Sequence, residues 1–159
     1  MNIVRRPRPT LLWILLAGLA LTAIGGGLWQ LEAAKSGLTV LHTEVGETPV
    51  SLYRQASQAP APTVIVTHGF AGSRQLMQPF AITLARNGYH VVSLEWPGHG
   101  KHPQPMPGDL MDREARLALF LDALAAVVDW ALAQPGSDGR LALLGHSMGG
   151  DAILQYAKT

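Results

Sequence analysis

Residues 140–158 read RLALLGHSMGGDAILQYAK, and this stretch decides the fold. Its first five residues, RLALL, are apolar enough to predict a strand, and the residues from Met148 onward predict the start of a helix. GHSMG, residues 145–149, lies between them and places Ser147 at the turn from strand to helix. A serine in such a tight turn is typical of a catalytic nucleophile, because the turn exposes its hydroxyl at the end of the sheet.

The two glycines of GHSMG support this interpretation. A side chain two positions before or after the nucleophile would collide with neighbouring backbone, and Gly145 and Gly149 remove that collision. The five-residue pattern alone is weak evidence, since short patterns recur by chance. Its position between a strand and a helix is the stronger argument. There, free N–H groups such as that of Met148 and the positive end of the helix dipole favour an oxyanion.

The preceding sequence alternates between strand and helix patterns. Thr39–Val45 and Pro49–Gln55 predict a hairpin, and Thr63–Thr67 (TVIVT) predicts a strand that is buried on both faces. A helix follows, with apolar residues at Leu76, Phe80, Leu84 and Ala85, and then a strand over Tyr89–Trp96. After a predicted loop over Pro97–Gly108 comes a long helix within Asp112–Gln134, whose apolar stripe runs from Leu117 to Ala131. This order predicts an α/β layer fold.

Three motifs carry a resemblance to a known family. HGFAGS at 68–73, PGHG at 97–100 and GHSMGG at 145–150 resemble, in this order, the first half of an α/β-hydrolase. The likeness covers about residues 39–158 and is nearest to the carboxylesterase and monoacylglycerol-lipase-like branch. It implies a mostly parallel sheet flanked by helices. It also implies a serine hydrolase that cleaves small-molecule carboxylic esters through an acyl-enzyme, with no cofactor and no metal.

The resemblance also assigns the site residues. Ser147 becomes the nucleophile, the backbone N–H groups of Phe70 and Met148 become the oxyanion hole, and Gly145 and Gly149 become the glycines of the nucleophile turn. The ring of Phe70 either lines an acyl pocket or contributes nothing beyond its backbone, and both readings stay open.

The sequence departs from the family pattern after the serine. The family's catalytic acid and histidine lie well beyond the nucleophile, whereas only twelve residues follow Ser147 and none of them is a histidine. Their one acid, Asp151, is expected to complement the helix dipole. We therefore expect the triad acid and histidine to be absent from this chain and the fold to be incomplete after the nucleophile turn. We expect the chain to be a fragment that is inactive alone. The 140–144 strand would then lie near an edge of the sheet.

Four histidines are candidates for a catalytic base or a metal ligand. His146 is adjacent to Ser147, but neighbouring residues diverge at such a turn, so a packing role is favoured over that of a base. His68 is expected to order its loop through hydrogen bonds. The spacing of His99 and His102 could suggest a metal, but without an evident third ligand a solvated loop is the favoured reading.

The N-terminal part has a different character. Residues 10–29 read TLLWILLAGLALTAIGGGLW, contain no charge, and as a helix would span the roughly 30 Å hydrocarbon layer of a membrane. Arg5, Arg6 and Arg8 precede them, which predicts a cytoplasmic basic N-terminus over 1–9 and a hydrolase domain, 36–159, on the extracytoplasmic side. The alternative is a cleaved signal peptide and a secreted or periplasmic product.

Composition excludes several other classes of protein. The 159 residues contain no Cys, which excludes a disulfide scaffold, and a net charge of +1 gives no reason to expect a nucleic acid as partner. Two functional alternatives remain beside ester hydrolysis. One is another reaction on the same scaffold, such as that of a peptidase or an acyltransferase, and the other is a truncated membrane protein without enzymatic activity.

Overall fold

The computed structural model describes residues 11–56, 59–106 and 112–158. The basic N-terminus over 1–9, Thr10, and the last two residues of the predicted 97–108 loop lie outside these ranges. The elements are α1 (Leu11–Ala33), β1 (Leu38–Val45), β2 (Thr48–Gln55), β3 (Ala61–Thr67), α2 (Gln78–Arg86), β4 (His90–Leu94), α3 (Arg113–Leu132), β5 (Ser137–Gly145) and α4 (Met148–Tyr156). Between Ser36 and Gly37 the chain divides into two compact units.

The first unit contains α1. This helix has 23 residues and a length of about 34 Å, and its length and composition are sufficient to cross a membrane. It continues through Gly25, Gly26 and Gly27 and ends at Ala33, beyond the predicted end at Trp29. None of its side chains is buried.

The second unit is an α/β fold around a five-stranded mixed sheet, which confirms the predicted fold class. The strand order is β1-β2-β4-β3-β5. β1 pairs with β2, and β2 with β4, in antiparallel orientation, whereas β3 lies parallel to both β4 and β5. The carboxyl ends of β3, β4 and β5 therefore lie together at one end of the strands, where ligands bind in folds of this kind.

β3 and β4 are buried, which for β3 confirms the predicted burial. The stripe predicted on α3 is confirmed, since Phe120, Leu124, Val127, Val128 and Ala131 are buried. α3 begins as an N-capped helix in which the side chain of Asp112 accepts a hydrogen bond from the Ala115 N–H at 3.0 Å.

The apolar residues that predicted α2 are only in part the residues that this segment buries. Leu76 and Phe80 are 61% and 54% exposed, whereas the buried residues of this segment are Met77, Ala81, Ile82 and Ala85. The helical period is the predicted one, but the buried face is displaced by one position, so that small alanines lie against the sheet. Periodicity alone does not distinguish these two faces, because apolar residues occur on both.

β5 lies at an edge of the sheet, as expected from the sequence. It pairs with β3 only, among the described residues, and residues 138–142 are exposed. Leu141, an apolar side chain in the middle of this strand, is 38% exposed. The edge next to β5 thus presents unpaired backbone groups beside apolar surface.

Candidate active site

Ser147 occupies the sharp turn between β5 and α4. Its backbone has φ 52° and ψ −117°, and among the described residues Ala71 is the one other non-glycine residue with a positive φ. This conformation costs an L-residue about 1–3 kcal/mol and persists only where the surrounding structure imposes it. Ser147 is exposed at the carboxyl ends of the parallel strands.

Close contacts explain why the turn contains glycines at 145 and 149. A Cβ on Gly145 would lie 2.7 Å from the backbone of Gly149, and a Cβ on Gly149 would lie 2.5 Å from Thr67 Oγ1 and 2.6 Å from the carbonyl oxygen of His68. Real Cβ atoms essentially never make such contacts. The start of α4 is thereby drawn directly against the end of β3 and β5.

The loop after β3 lies against the Ser147 turn. The His146 N–H donates to the carbonyl oxygen of Thr67 at 3.1 Å, which ties the two segments together. A Cβ on Gly69 would lie 3.1 Å from the Cβ of Ser147 and 2.8 Å from Nδ1 of His146. Gly69 was not among the predicted site residues. Its signal in the sequence was its place between His68 and Phe70, in the segment expected to supply an oxyanion donor.

The two predicted oxyanion donors flank this contact. Phe70 follows Gly69, and Met148 is the first residue of α4. Within the described residues neither backbone N–H donates to an acceptor, whereas the next amide in α4, that of Gly149, donates to the His146 carbonyl at 2.9 Å. Both N–H groups therefore remain able to bind an oxyanion from a substrate.

His68 is buried and orders its loop. Its Nδ1 lies 2.8 Å from the carbonyl oxygen of Gly69, and its Nε2 accepts from the Trp96 N–H at 3.2 Å. Trp96 Nε1 donates in turn to the His68 carbonyl at 2.9 Å. Burial lowers the pKa of His68 from 6.5 to about 4, so the ring is neutral at pH 7 and donates through Nδ1. Both ring nitrogens are engaged away from Ser147.

His146 and Asp151 do not form a charge relay with Ser147. The His146 side chain is exposed and makes no hydrogen bond to the Ser147 hydroxyl. Asp151 lies in the first turn of α4, as expected for a residue that complements the helix dipole. Its carboxylate forms a bidentate pair with Arg113 on α3, at 2.6 Å and 3.1 Å.

The remaining predicted residues lie on the neighbouring loop. His99 is buried, so the expected solvated loop is wrong for this residue. Its Nδ1 lies 3.0 Å from the carbonyl oxygen of Pro97, whereas His102 contacts Thr48 Oγ1 at 3.3 Å, so the two histidines have separate partners. The ring of Phe70 is 63% exposed and meets the His99 ring edge-on, with 5.9 Å between centroids.

Comparisons with known proteins show the family to which the chain belongs. A sequence model of the family described as alpha/beta hydrolase fold matches residues 62–159, which is more than half of the chain. A candidate dienelactone hydrolase from Klebsiella pneumoniae is 23% identical with a TM-score of 0.61, over 76% of this chain and 54% of its own. A candidate lipase from Acinetobacter baumannii is 27% identical with a TM-score of 0.57, over 84% of this chain and 40% of its own.

A third solved structure, a dienelactone hydrolase-like promiscuous phosphotriesterase from metagenomic libraries, is 22% identical with a TM-score of 0.59, over 76% of this chain and 53% of its own. The chain thus spans about half, or less, of the length of these structures. A comparison with curated proteins gives no match. The family match, the sheet order and the geometry of the turn at Ser147 agree, and the chain belongs to the α/β-hydrolase family.

Proposed function

We propose that the protein is a serine hydrolase that cleaves carboxylic esters and that α1 anchors it in a membrane. The observation that carries the proposal is the backbone of Ser147, held at φ 52° in a glycine-flanked turn where the exposed serine lies against Gly69. A strained conformation that the surrounding structure imposes is characteristic of functional residues. The lipase-like structure at 27% identity supports an ester as the substrate class.

In the proposed reaction, Ser147 Oγ attacks the carbonyl carbon of the ester and transfers its proton to a general base. The negative charge that develops on the carbonyl oxygen is stabilised by the N–H groups of Phe70 and Met148 and by the N-terminus of α4. The tetrahedral intermediate collapses, the alcohol leaves with a proton, and the acyl group remains on Ser147. Water then releases the carboxylic acid by the same sequence of steps.

The residues beside the turn supply the nucleophile and the oxyanion donors but not the base. His68 is neutral with both nitrogens engaged, the His146 side chain makes no hydrogen bond to the Ser147 hydroxyl, and Asp151 is paired with Arg113. We place the triad acid and histidine outside residues 1–159. Acylation and deacylation both require a base, so the 159-residue chain is expected to be a very poor hydrolase.

Slow deacylation makes the acyl-enzyme the species to detect. The full chain in detergent is incubated with an activated ester such as p-nitrophenyl acetate, with and without imidazole as an external base, and the acylated residue is located by peptide mass spectrometry. We expect the acyl group on Ser147, and we expect it to form faster when imidazole is present. Ser147→Ala should abolish this label, whereas Ser36→Ala, outside the sheet, should leave it unchanged.

Two results would count against the proposal. An acyl group found equally on other side chains of wild type and Ser147→Ala would show non-specific acylation and no activated serine. Turnover of the 159-residue chain at the rate of a complete family member, lost in Ser147→Ala, would keep the serine mechanism but refute the placement of the base outside the chain.

A further inference from the structure

Glu95 is a buried carboxylate that the proposed chemistry does not use. It follows β4 directly, and its side chain is fully buried. Oε1 accepts a hydrogen bond from the backbone N–H of Arg74 at 3.1 Å. Oε2 lies 3.5 Å from Arg74 Nε and has no hydrogen-bond partner among the described residues, so this second contact is one of charge. A charge this deeply buried is retained only where it has partners.

Arg74 connects the Glu95 carboxylate to strand β2. Its Nη1 donates to the carbonyl oxygen of Val50 on β2 at 2.7 Å, and its side chain is 11% exposed. The guanidinium is therefore held by a strand carbonyl and by Glu95 together. Because the backbone of Arg74 is also bound to Glu95, the end of the 68–74 segment has a fixed position.

The start of the same segment is held by the residue after Glu95. The Trp96 N–H donates to His68 Nε2, and Trp96 Nε1 donates to the His68 carbonyl. His68 Nε2 also lies 3.4 Å from Glu95 Oε1, but the ring is neutral, so this contact is not an ion pair. The dipeptide Glu95-Trp96 thus holds both ends of the segment that contains Phe70.

The backbone of Gly100 packs against the Glu95 carboxylate. Its backbone has φ 51° and lies so close to Glu95 that a Cβ would meet the carboxylate, 2.6 Å from Oε1 and closer still to the other two atoms. A side chain at position 100 would have to displace the carboxylate. The glycine is thus required by the buried acid and not only by the turn.

We propose that Glu95 is a positioning residue that holds the 68–74 segment so that the Phe70 N–H faces the oxyanion formed at Ser147. The inference rests on the proposed function for the role of Phe70, but the contacts that carry it are independent of any substrate. A charge-assisted hydrogen bond to a backbone N–H gives a stronger and more directional anchor than a neutral one. A role limited to general stability would affect the whole unit equally.

The test is hydrogen exchange of the full chain in detergent, followed in peptides that cover 68–77 and 113–132. Glu95→Met has similar size but no acceptor, and we expect exchange at Gly72 and Arg74 to accelerate about tenfold or more. Glu95→Gln keeps an oxygen that accepts from the Arg74 N–H, so it should retain most of the protection. Exchange in 113–132 should change in neither variant, and Glu114→Gln on α3 is the control that should change nothing.

Gly100→Ala tests the same contact with Glu95 intact. Its Cβ should displace the carboxylate and reproduce the exchange pattern of Glu95→Met, so the test does not depend on the folding of one variant. Unchanged exchange in 68–77, equal behaviour of the Gln and Met variants, or equal acceleration in 113–132 would each overturn the proposal.

Acylation of Ser147 gives the second measurement. If Phe70 is a donor, Glu95→Met should slow acylation at saturating ester with little change in the ester concentration that gives half the maximal rate, because the oxyanion forms only in the transition state. Glu95→Gln should restore most of the rate. Absence of acylation in wild type with imidazole supplied as the base would count against Ser147 as the nucleophile, whereas the exchange measurement decides the positioning role independently.

Discussion

At Ser147 the chain adopts a backbone conformation that an L-residue avoids, and the neighbouring residues show how it is maintained. Gly145 and Gly149 allow two segments of backbone to approach, and the His146 N–H bonds to the end of β3. Each of these contacts involves backbone, which cannot move aside as a flexible side chain can. The strain of one residue is thus offset by close packing of its neighbours.

Two adjacent glycines of α4 provide a matched test of this packing. Gly149→Ala places a Cβ 2.5 Å from Thr67 Oγ1 and should destabilise the second unit by about 1–3 kcal/mol or more. A Cβ on Gly150 would lie 3.4 Å from the Gly145 carbonyl oxygen, an ordinary contact, so Gly150→Ala should be neutral or stabilise by up to about 1 kcal/mol. Near-UV circular dichroism during thermal unfolding reports the difference, and equal effects of the two changes would contradict it.

His68 should make the stability of the second unit depend on pH. Its pKa is about 4 in the folded state and 6.5 when unfolded, because burial disfavours the charged ring. The unfolded chain therefore binds the proton first as the pH falls, so the contribution of His68 is complete above pH 6.5 and is lost towards pH 4. The loss amounts to about 3 kcal/mol.

His68→Gln removes this titration and serves as the comparison. Whatever its stability at pH 7, the variant should lose about 3 kcal/mol less than wild type between pH 7 and pH 4, as measured by urea unfolding at several pH values. Parallel stability profiles for the two proteins would show that His68 is not buried as a neutral ring.

At the scale of helices and strands, the pattern of apolar residues predicts where a helix or strand occurs better than it predicts which face of the helix is buried. The stripe on α3 was predicted correctly because its opposite face carries charges such as Asp122 and Asp129. On α2 the sequence pattern is dominated by Leu76 and Phe80, which are larger and more apolar than the alanines that lie against the sheet. The buried face therefore differs from the face that the pattern marks. A helix close to a sheet favours small residues at the contact, and that distance is a property of the tertiary structure.

The exposed edge of β5 should limit the solubility of the second unit. Residues 36–159 expressed without α1 are expected to be insoluble or molten, because unpaired backbone groups lie beside apolar side chains such as Leu141. Leu141→Lys should raise the soluble fraction, since a charge on an edge strand opposes edge-to-edge association. Leu143→Lys should lower it, because Leu143 packs against the core. A soluble wild-type monomer with a cooperative thermal transition would contradict the prediction.

At the scale of the whole molecule, α1 should retain the protein in a membrane with Ser147 outside the cytoplasm. α1 is long and apolar enough to cross, and Arg5, Arg6 and Arg8 precede it in the sequence. In a bacterial expression host, the protein should resist extraction by alkaline carbonate, and its second unit should be cleaved by protease added to intact spheroplasts. A shortened species in the soluble fraction would indicate a cleaved signal peptide instead.

The sequence by itself determined the α/β class, the order of the elements and the turn at Ser147, because these follow from local periodicity and from the position of the GHSMG glycines between a strand and a helix. It also placed Phe70 and Met148 beside that serine, since the ends of parallel strands share one edge of a sheet. The approach of Gly69 to Ser147 and the burial of Glu95 between Arg74 and Gly100 were decided only by the tertiary structure. Gly69 is 78 residues from Ser147 and Arg74 is 21 residues from Glu95, and Glu95 lies within a run whose pattern predicts only a strand. Contacts between separate loops leave no periodic signal, because they depend on how the strands are ordered in the sheet.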